Sequence, residues 1–220
     1  ITLAEHWNSE HMRSVRRRMM AGETLPECEV CNDKLLNTDV YRNHFWQFFK
    51  HKYEDLMAKT DATGHTTALP VSWDYRFSNL CNFKCRTCGS GFSSQWEQED
   101  QKRKVEWARV LPKNDKILDE VLPHVPFMEH AYFAGGEPLI MDEHYMILEE
   151  LVKRKMFHVR LIYNTNFSHT KLKDKSVFEY WKLFNTVGVG ASLDDSYARG
   201  EYIRKGQDWE ETVENRRKMI

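Results

Sequence analysis

Apolar residues recur at one interval before Pro70 and at another after it. Leu3, Trp7, His11, Val15 and Met19 stand four apart, which predicts one amphipathic helix. Arg13, Arg16, Arg17 and Arg18 crowd its later turns, where positive charge suits the helix dipole, and are expected to form a solvated face. Gly22 and Pro26 end it. Tyr41, Phe45, Phe48, Phe49, Tyr53, Leu56 and Met57 predict a second helix, over 39–59, with an aromatic face expected to be core. Thr60 to Leu69 is polar, carries Gly64 and shows no period. The expected organisation is a helical segment over 1–60, a linker over 61–69 and a main domain over 70–220.

Beyond Pro70 the period switches to alternating strand and helix. Strands are expected at Val71–Phe77, Glu129–Ala134, Val159–Tyr163 and Thr186–Leu193. Helices are expected at Ser94–Val110, Ile117–Leu122, Val177–Phe184 and the C-terminus, where Asp208 and Glu211 make a capping pair. Asp142 is the expected cap of a further helix that aligns Tyr145, Leu148, Leu151 and Val152 on one face. Such alternation implies a parallel α/β sheet or barrel. Chemistry in these folds gathers at the C-terminal ends of the strands. On the fourth strand Val187, Val189, Ala191 and Leu193 alternate with Gly188, Gly190, Ser192 and Asp194. One face is therefore apolar, and the other is small or polar with room for a ligand. Asn164 and Asn166 share that parity on the third strand.

Two short runs carry the chemistry. Cys81-Asn-Phe-Lys-Cys85-Arg-Thr-Cys88 offers three thiols on one expected loop, and Gly135-Gly136-Glu137-Pro138 follows the second strand. An iron–sulfur cubane takes four cysteines, so three would leave one iron open for chemistry. The same spacing suits tetrahedral zinc with a fourth ligand from elsewhere. The paired glycines favour the first reading, because they let a ligand approach the backbone and a zinc knuckle has no need of that. Lys84 and Arg86 are cations that would favour thiolate over thiol. Cys28 and Cys31 form a separate CxxC.

Composition narrows the class further. The 220 residues carry a net charge of −1, which gives no argument for nucleic acid or an anionic membrane as partner. No apolar stretch approaches the roughly 18 residues of a membrane span, and no signal peptide is visible. Five cysteines in two motifs read as metal ligands rather than disulfides, which implies a reducing, cytoplasmic setting. The ten histidines form no ligand pattern, and neither a phosphate-binding loop nor a serine nucleophile elbow is found. The chain opens on Ile1, which suggests a fragment of a longer protein.

Cys81, Cys85 and Cys88 resemble the CxxxCxxC motif of the radical S-adenosylmethionine enzymes, and Gly135 to Pro138 resembles that family's GGEP motif. Ile162 to Asn166 and Gly190 to Asp195 are similar to its third and fourth core strands. The resemblance implies a partial (β/α)6 barrel, of which about four units are visible, so the last strands are expected to be missing. It implies a [4Fe-4S] cluster on the three cysteines, with S-adenosylmethionine chelating the fourth iron and a reductive cleavage that yields a 5′-deoxyadenosyl radical. An electron donor of flavodoxin or ferredoxin type is then required. Gly135, Gly136 and Glu137 would hold the methionine amino group. Asn164, Ser192 and Asp194 are candidates for the ribose or carboxylate, and Arg204 for a carboxylate. Thr87 departs from the family, which usually has an aromatic residue there against the adenine.

Trp7-Asn8, the arginines and the Cys28–Cys31 pair resemble the SPASM and twitch extensions, which hold auxiliary iron–sulfur clusters and here would precede the barrel. That likeness implies an auxiliary cluster at Cys28 and Cys31 and a substrate that is a peptide in many relatives. The rival readings are a half zinc site or a redox-active dithiol at that pair. For the whole chain the rival is a non-catalytic zinc or iron–sulfur protein with a structural or electron-transfer role.

Overall fold

The structure is a computed structural model that describes residues 2–31, 42–105 and 116–219. The chain divides into two compact units, Ile1–Leu69 and Pro70–Ile220.

In the first unit the expected N-terminal helix is two helices, α1 (Leu3–Trp7) and α2 (Glu10–Met20). Asn8 and Ser9 break it, because their short polar side chains compete for backbone groups and favour caps. Ser9 Oγ accepts from Met12 N at 3.3 Å and starts α2. The Asn8 side chain binds Thr66 instead, donating to its carbonyl at 2.9 Å and accepting from its N–H at 3.0 Å. The arginines correct a second expectation. Arg16 stacks on Trp7 at 4.6 Å and donates to Gly64 O at 3.0 Å. Arg13 and Arg17 reach Thr63 at 2.6 and 2.7 Å. The face expected to be solvated thus holds the loop expected to be a linker. Gly64, at φ +77°, passes so close to α2 that a Cβ would stand 2.2 Å from Arg13 O.

The second expected helix is described as α3 (Arg42–Phe49), a 3-10 turn at Lys50–Lys52, and α4 (Tyr53–Ala58). Its aromatic face is not core: Phe45 and Tyr53 are exposed, while Phe48, Phe49, Leu56 and Met57 are half-buried. Residues 39–41 of that helix, Tyr41 among them, lie outside the described residues, as do 106–110 of the helix expected at Ser94–Val110.

The second unit is built on four parallel strands in sequence order: β1 (Ser72–Tyr75), β2 (His130–Phe133), β3 (Arg160–Thr165) and β4 (Val187–Ala191). The third strand runs two residues past its expected end. One row of partners, Tyr75, Phe133, Tyr163 and Val189, crosses the whole sheet. Its rings stack at 5.3 Å for Tyr75 on Phe133 and 5.1 Å for Phe133 on Tyr163. Around the sheet lie α5 (Ser94–Lys102), α6 (Ile117–Val121), α7 (Asp142–Lys153), α8 (Val177–Trp181), α9 (Tyr197–Ile203) and α10 (Trp209–Met219). Helix α7 buries His144, Tyr145, Ile147, Leu148 and Leu151. Asp142 is not its cap. Met141 holds that position without a side-chain bond, and Asp142 instead pairs with Lys173 at 2.7 Å. Asp208 does cap the last helix, accepting from Glu211 N at 2.9 Å.

Between β1 and α5, Lys84–Cys85 pairs antiparallel with Arg204–Lys205, a ladder that the hydrophobic pattern does not announce. Among the described residues no helix is long and apolar enough to cross a membrane.

Candidate functional site

A cleft of about 400 Å³ lies at the C-terminal ends of the four strands. Each strand contributes just where it stops: Arg76 after β1, Ala134 to Gly136 after β2, Asn164 to Asn166 at the end of β3, and Ser192 after β4. Side chains alternate along a strand, so the row that faces the core at Tyr163 gives way to Asn164 on the cleft side. Gly190, opposite Asn164, keeps that space open: a Cβ there would stand 2.8 Å from Asn164 Oδ1.

Cys81, Cys85 and Cys88 are free thiols, and all three line this cleft. The N-terminus of α5 fixes their loop. Ser93 Oγ donates to Phe83 O at 2.7 Å, Cys81 N donates to Ser94 Oγ at 3.2 Å, and the Trp96 indole donates to Cys85 O at 2.7 Å. Asn82 ties the loop to the end of β3, accepting from Asn166 Nδ2 at 2.8 Å and donating to Ser168 Oγ at 2.9 Å. Burial raises the Cys81 thiol to about 11, against a smaller downward pull from the Phe83 N–H. Burial likewise raises Cys85, and the charge of Arg204 opposes it. A metal centre would therefore have to displace protons from both.

The cations nearest in sequence are not the ones that face sulfur. Lys84 pairs with Glu99 and lies over Trp96. Arg86 stacks on Tyr202 at 3.9 Å and donates to its carbonyl. Arg204, 119 residues from Cys85 in sequence, brings Nη1 to 3.7 Å from Cys85 Sγ.

The glycine turn is shaped by contact with the same loop. Gly135 and Gly136 take φ of +72° and +53°. A Cβ on Gly136 would stand 2.3 Å from Leu80 O, the carbonyl that accepts Glu137 N at 2.8 Å. Both glycines line the cleft, whereas the Glu137 side chain turns away and is only 1% exposed. Its carboxylate accepts from Leu139 N at 3.0 Å, Thr165 Oγ1 at 2.6 Å and Asn166 N at 2.7 Å. Burial raises its pKa, while the Thr165, Asn166 and Leu139 donors and the charge of Arg204 pull it down. Glu137 thus clasps the end of β2 to the end of β3.

Of the other anticipated residues, Asn164, Ser192 and Arg204 line the cleft. Asp194 does not line it, and pairs with Arg204 at 2.7 Å. Cys28 and Cys31 lie in the first unit, half-buried and free, on one helical turn. Thr87 lines the cleft, as do residues that the sequence reading passes over, among them Arg76, Tyr132 and Phe92. Strand parity would have found the first two, since Asp74, Arg76 and Tyr132 belong to the face opposite the core row; no local pattern marks Phe92.

The donor set bears on which group fits. Thiolates on one zinc ion stand within about 4 Å of each other, given Zn–S bonds of about 2.3 Å in a tetrahedron. Among the described residues no three His, Cys, Asp or Glu side chains are grouped to hold a single ion. Three free thiols line one cleft and pack in one group around Phe83, a donor set that fits a cluster with one iron left open.

A comparison with curated proteins finds no match. A scan against protein families matches the Radical SAM superfamily over residues 75–219, about two thirds of the chain, from the last residue of β1 to the end of α10. With the cysteine loop, the glycine turn and all four strand ends inside that span, the chain belongs to the radical SAM superfamily.

Proposed function

We propose that this chain is a radical S-adenosylmethionine enzyme whose [4Fe-4S] cluster is held by Cys81, Cys85 and Cys88. The observation that carries the proposal is the convergence of three free thiols and the Gly135–Gly136 turn on one cleft at the strand ends. Held by these three thiolates, the cluster would supply one electron for reductive cleavage of a carbon–sulfur bond of S-adenosylmethionine, which would give methionine and a 5′-deoxyadenosyl radical able to take hydrogen from a substrate.

The chain's own residues bind and orient. The carbonyls around Gly135 and Gly136 would accept from the methionine amino group, on a turn that Arg76, Leu80 and Met141 pack so closely that only glycine fits it. Asn164, Ser192 and Arg204 are among the polar groups available to the ribose and carboxylate. The Glu137 side chain supports the turn from behind, which leaves its backbone carbonyl as its group for the amino contact. The sheet is read as part of a (β/α)6 barrel, and the electron donor as a flavodoxin or ferredoxin. Cys28 and Cys31 are read as two ligands of an auxiliary cluster, in keeping with the likeness of their segment to SPASM and twitch extensions. That likeness also supports a peptide as substrate.

The test is anaerobic reconstitution with iron and sulfide, reduction in the presence of S-adenosylmethionine, and assay of 5′-deoxyadenosine. The wild type is expected to release it, and Cys85→Ala to lose both the intact cluster and the product. Cluster loading unchanged in Cys85→Ala would refute the ligand assignment.

A further inference from the structure

The segment after β4 folds back across the cysteine loop and holds it main chain to main chain. Arg204 lies opposite Cys85 and Lys205 opposite Lys84, and Arg86 N donates to Ile203 O at 2.8 Å. Gly206, at φ +114°, passes Phe83 so closely that a Cβ would stand 2.9 Å from its ring. This pairing puts the Arg204 guanidinium beside the sulfur of the residue it faces, with Nη1 3.7 Å from Cys85 Sγ. Its Nε stands 2.7 Å from an Asp194 carboxylate oxygen, and the arginine side chain is only 14% exposed. Asp194 takes φ +60°, an uncommon backbone state for a residue other than glycine, just where the chain leaves β4.

We infer that Arg204 and Asp194 set the reduction potential of the cluster from opposite directions. The inference rests on the cluster assignment proposed above. A cluster gains negative charge when it takes up an electron, and hydrogen bonds to its sulfurs are among the levers that set its potential. The Arg204 N–H and its positive charge, aimed at Cys85, favour the reduced form and raise the potential. The Asp194 carboxylate does the reverse: it holds the guanidinium in place while partly neutralising it. Arg204 is a positioning residue in this scheme, since it acts through Cys85.

The experiment is a potentiometric titration of the reconstituted full chain, followed by electron paramagnetic resonance, without S-adenosylmethionine. Arg204→Gln is expected to shift the reduction equilibrium about tenfold toward the oxidised form, which is about 59 mV for one electron. Asp194→Asn is expected to shift it several-fold the other way, and Arg204→Lys to fall between wild type and Arg204→Gln. Opposite signs separate charge tuning from loss of structure, which would weaken cluster loading in both variants alike. If Arg204→Gln fails to fold, Asp194→Asn alone decides by the direction of its shift. Loaded variants with unchanged potentials, or shifts of one sign, would overturn the inference. A wild type that takes up no cluster would overturn the cluster assignment itself, and this inference with it.

Discussion

Glu137 and His144 are both sealed from water within one stretch of chain, yet the protein treats them in opposite ways. Glu137 is met by two backbone N–H groups and a hydroxyl, so its burial is matched by donors on both carboxylate oxygens. His144 sits in an aromatic cage, with ring centroids 4.8 Å from Phe133, 4.7 Å from Tyr145 and 5.4 Å from Tyr163. Its Nε2 meets the Tyr163 hydroxyl at 3.0 Å, and Nδ1 finds no partner among the described residues. Burial pushes its pKa down to about 3, so the ring is neutral. One group is a polar clasp between two strand ends, and the other is a core side chain. The difference follows position: Glu137 stands at the cleft end of the sheet, where backbone groups run out of ladder partners, and His144 against its middle, where none are free.

The sharpest way to break the clasp is to move the turn that carries it. Gly136→Ala would place a methyl group 2.3 Å from Leu80 O and 2.8 Å from the end of Met141, at a positive φ. Leu80 O is backbone and already holds Glu137 N, so it cannot give way cheaply. Overpacking plus the left-handed backbone is expected to cost about 3 kcal/mol or more. The expected result is a lower urea midpoint for the metal-free protein, with weakened cluster loading. A midpoint equal to wild type would mean that the turn is not held against the cysteine loop.

Glu137→Gln asks a finer question of the same clasp. The amide fills the same space but replaces one acceptor oxygen with a donor, facing either Asn166 N–H or the Leu139 and Thr165 donors. At least one buried donor loses its partner, at an expected cost of about 1–3 kcal/mol. The urea midpoint should fall with an unchanged denaturant slope, by less than in Gly136→Ala. A neutral substitution would show that the carboxylate is not what joins β2 to β3.

The same contrast separates what the sequence could reveal from what it could not. The four strands were legible because each carries apolar residues at alternate positions, and the cysteine loop and glycine turn because their residue types are rare in combination. The clasp was not legible: nothing local at Glu137 says that Thr165 and Asn166 will meet it. The contact of Arg204 with Cys85 was equally hidden, since a two-residue ladder sets no hydrophobic period. In the first unit the four-residue repeat ran straight through Asn8 and Ser9, and capping chemistry overrode it. Arginines that look like a solvated face proved to bind Thr63 and Gly64, because carbonyls in that loop needed donors.

His144→Phe should leave the cleft untouched and have the smallest effect at neutral pH. Phenylalanine keeps the ring contacts and costs the bond to Tyr163, so the loss at pH 7 is expected to stay below about 1.5 kcal/mol. The difference emerges in acid. An ordinary histidine has a pKa of 6.5, whereas the folded value here is about 3. Between those values the unfolded chain binds a proton that the folded chain refuses. Stability in the wild type is therefore full above 6.5 and falls as pH drops toward 3, by about 1.4 kcal/mol per pH unit once the unfolded histidine is charged. His144→Phe removes that term. The variant should be slightly less stable than wild type at pH 7, and the gap should close and then reverse as pH falls through 5. Urea midpoints of the two proteins measured across that range would show the crossing. Parallel curves would mean that His144 takes a proton inside the fold, and that the aromatic cage is open to water.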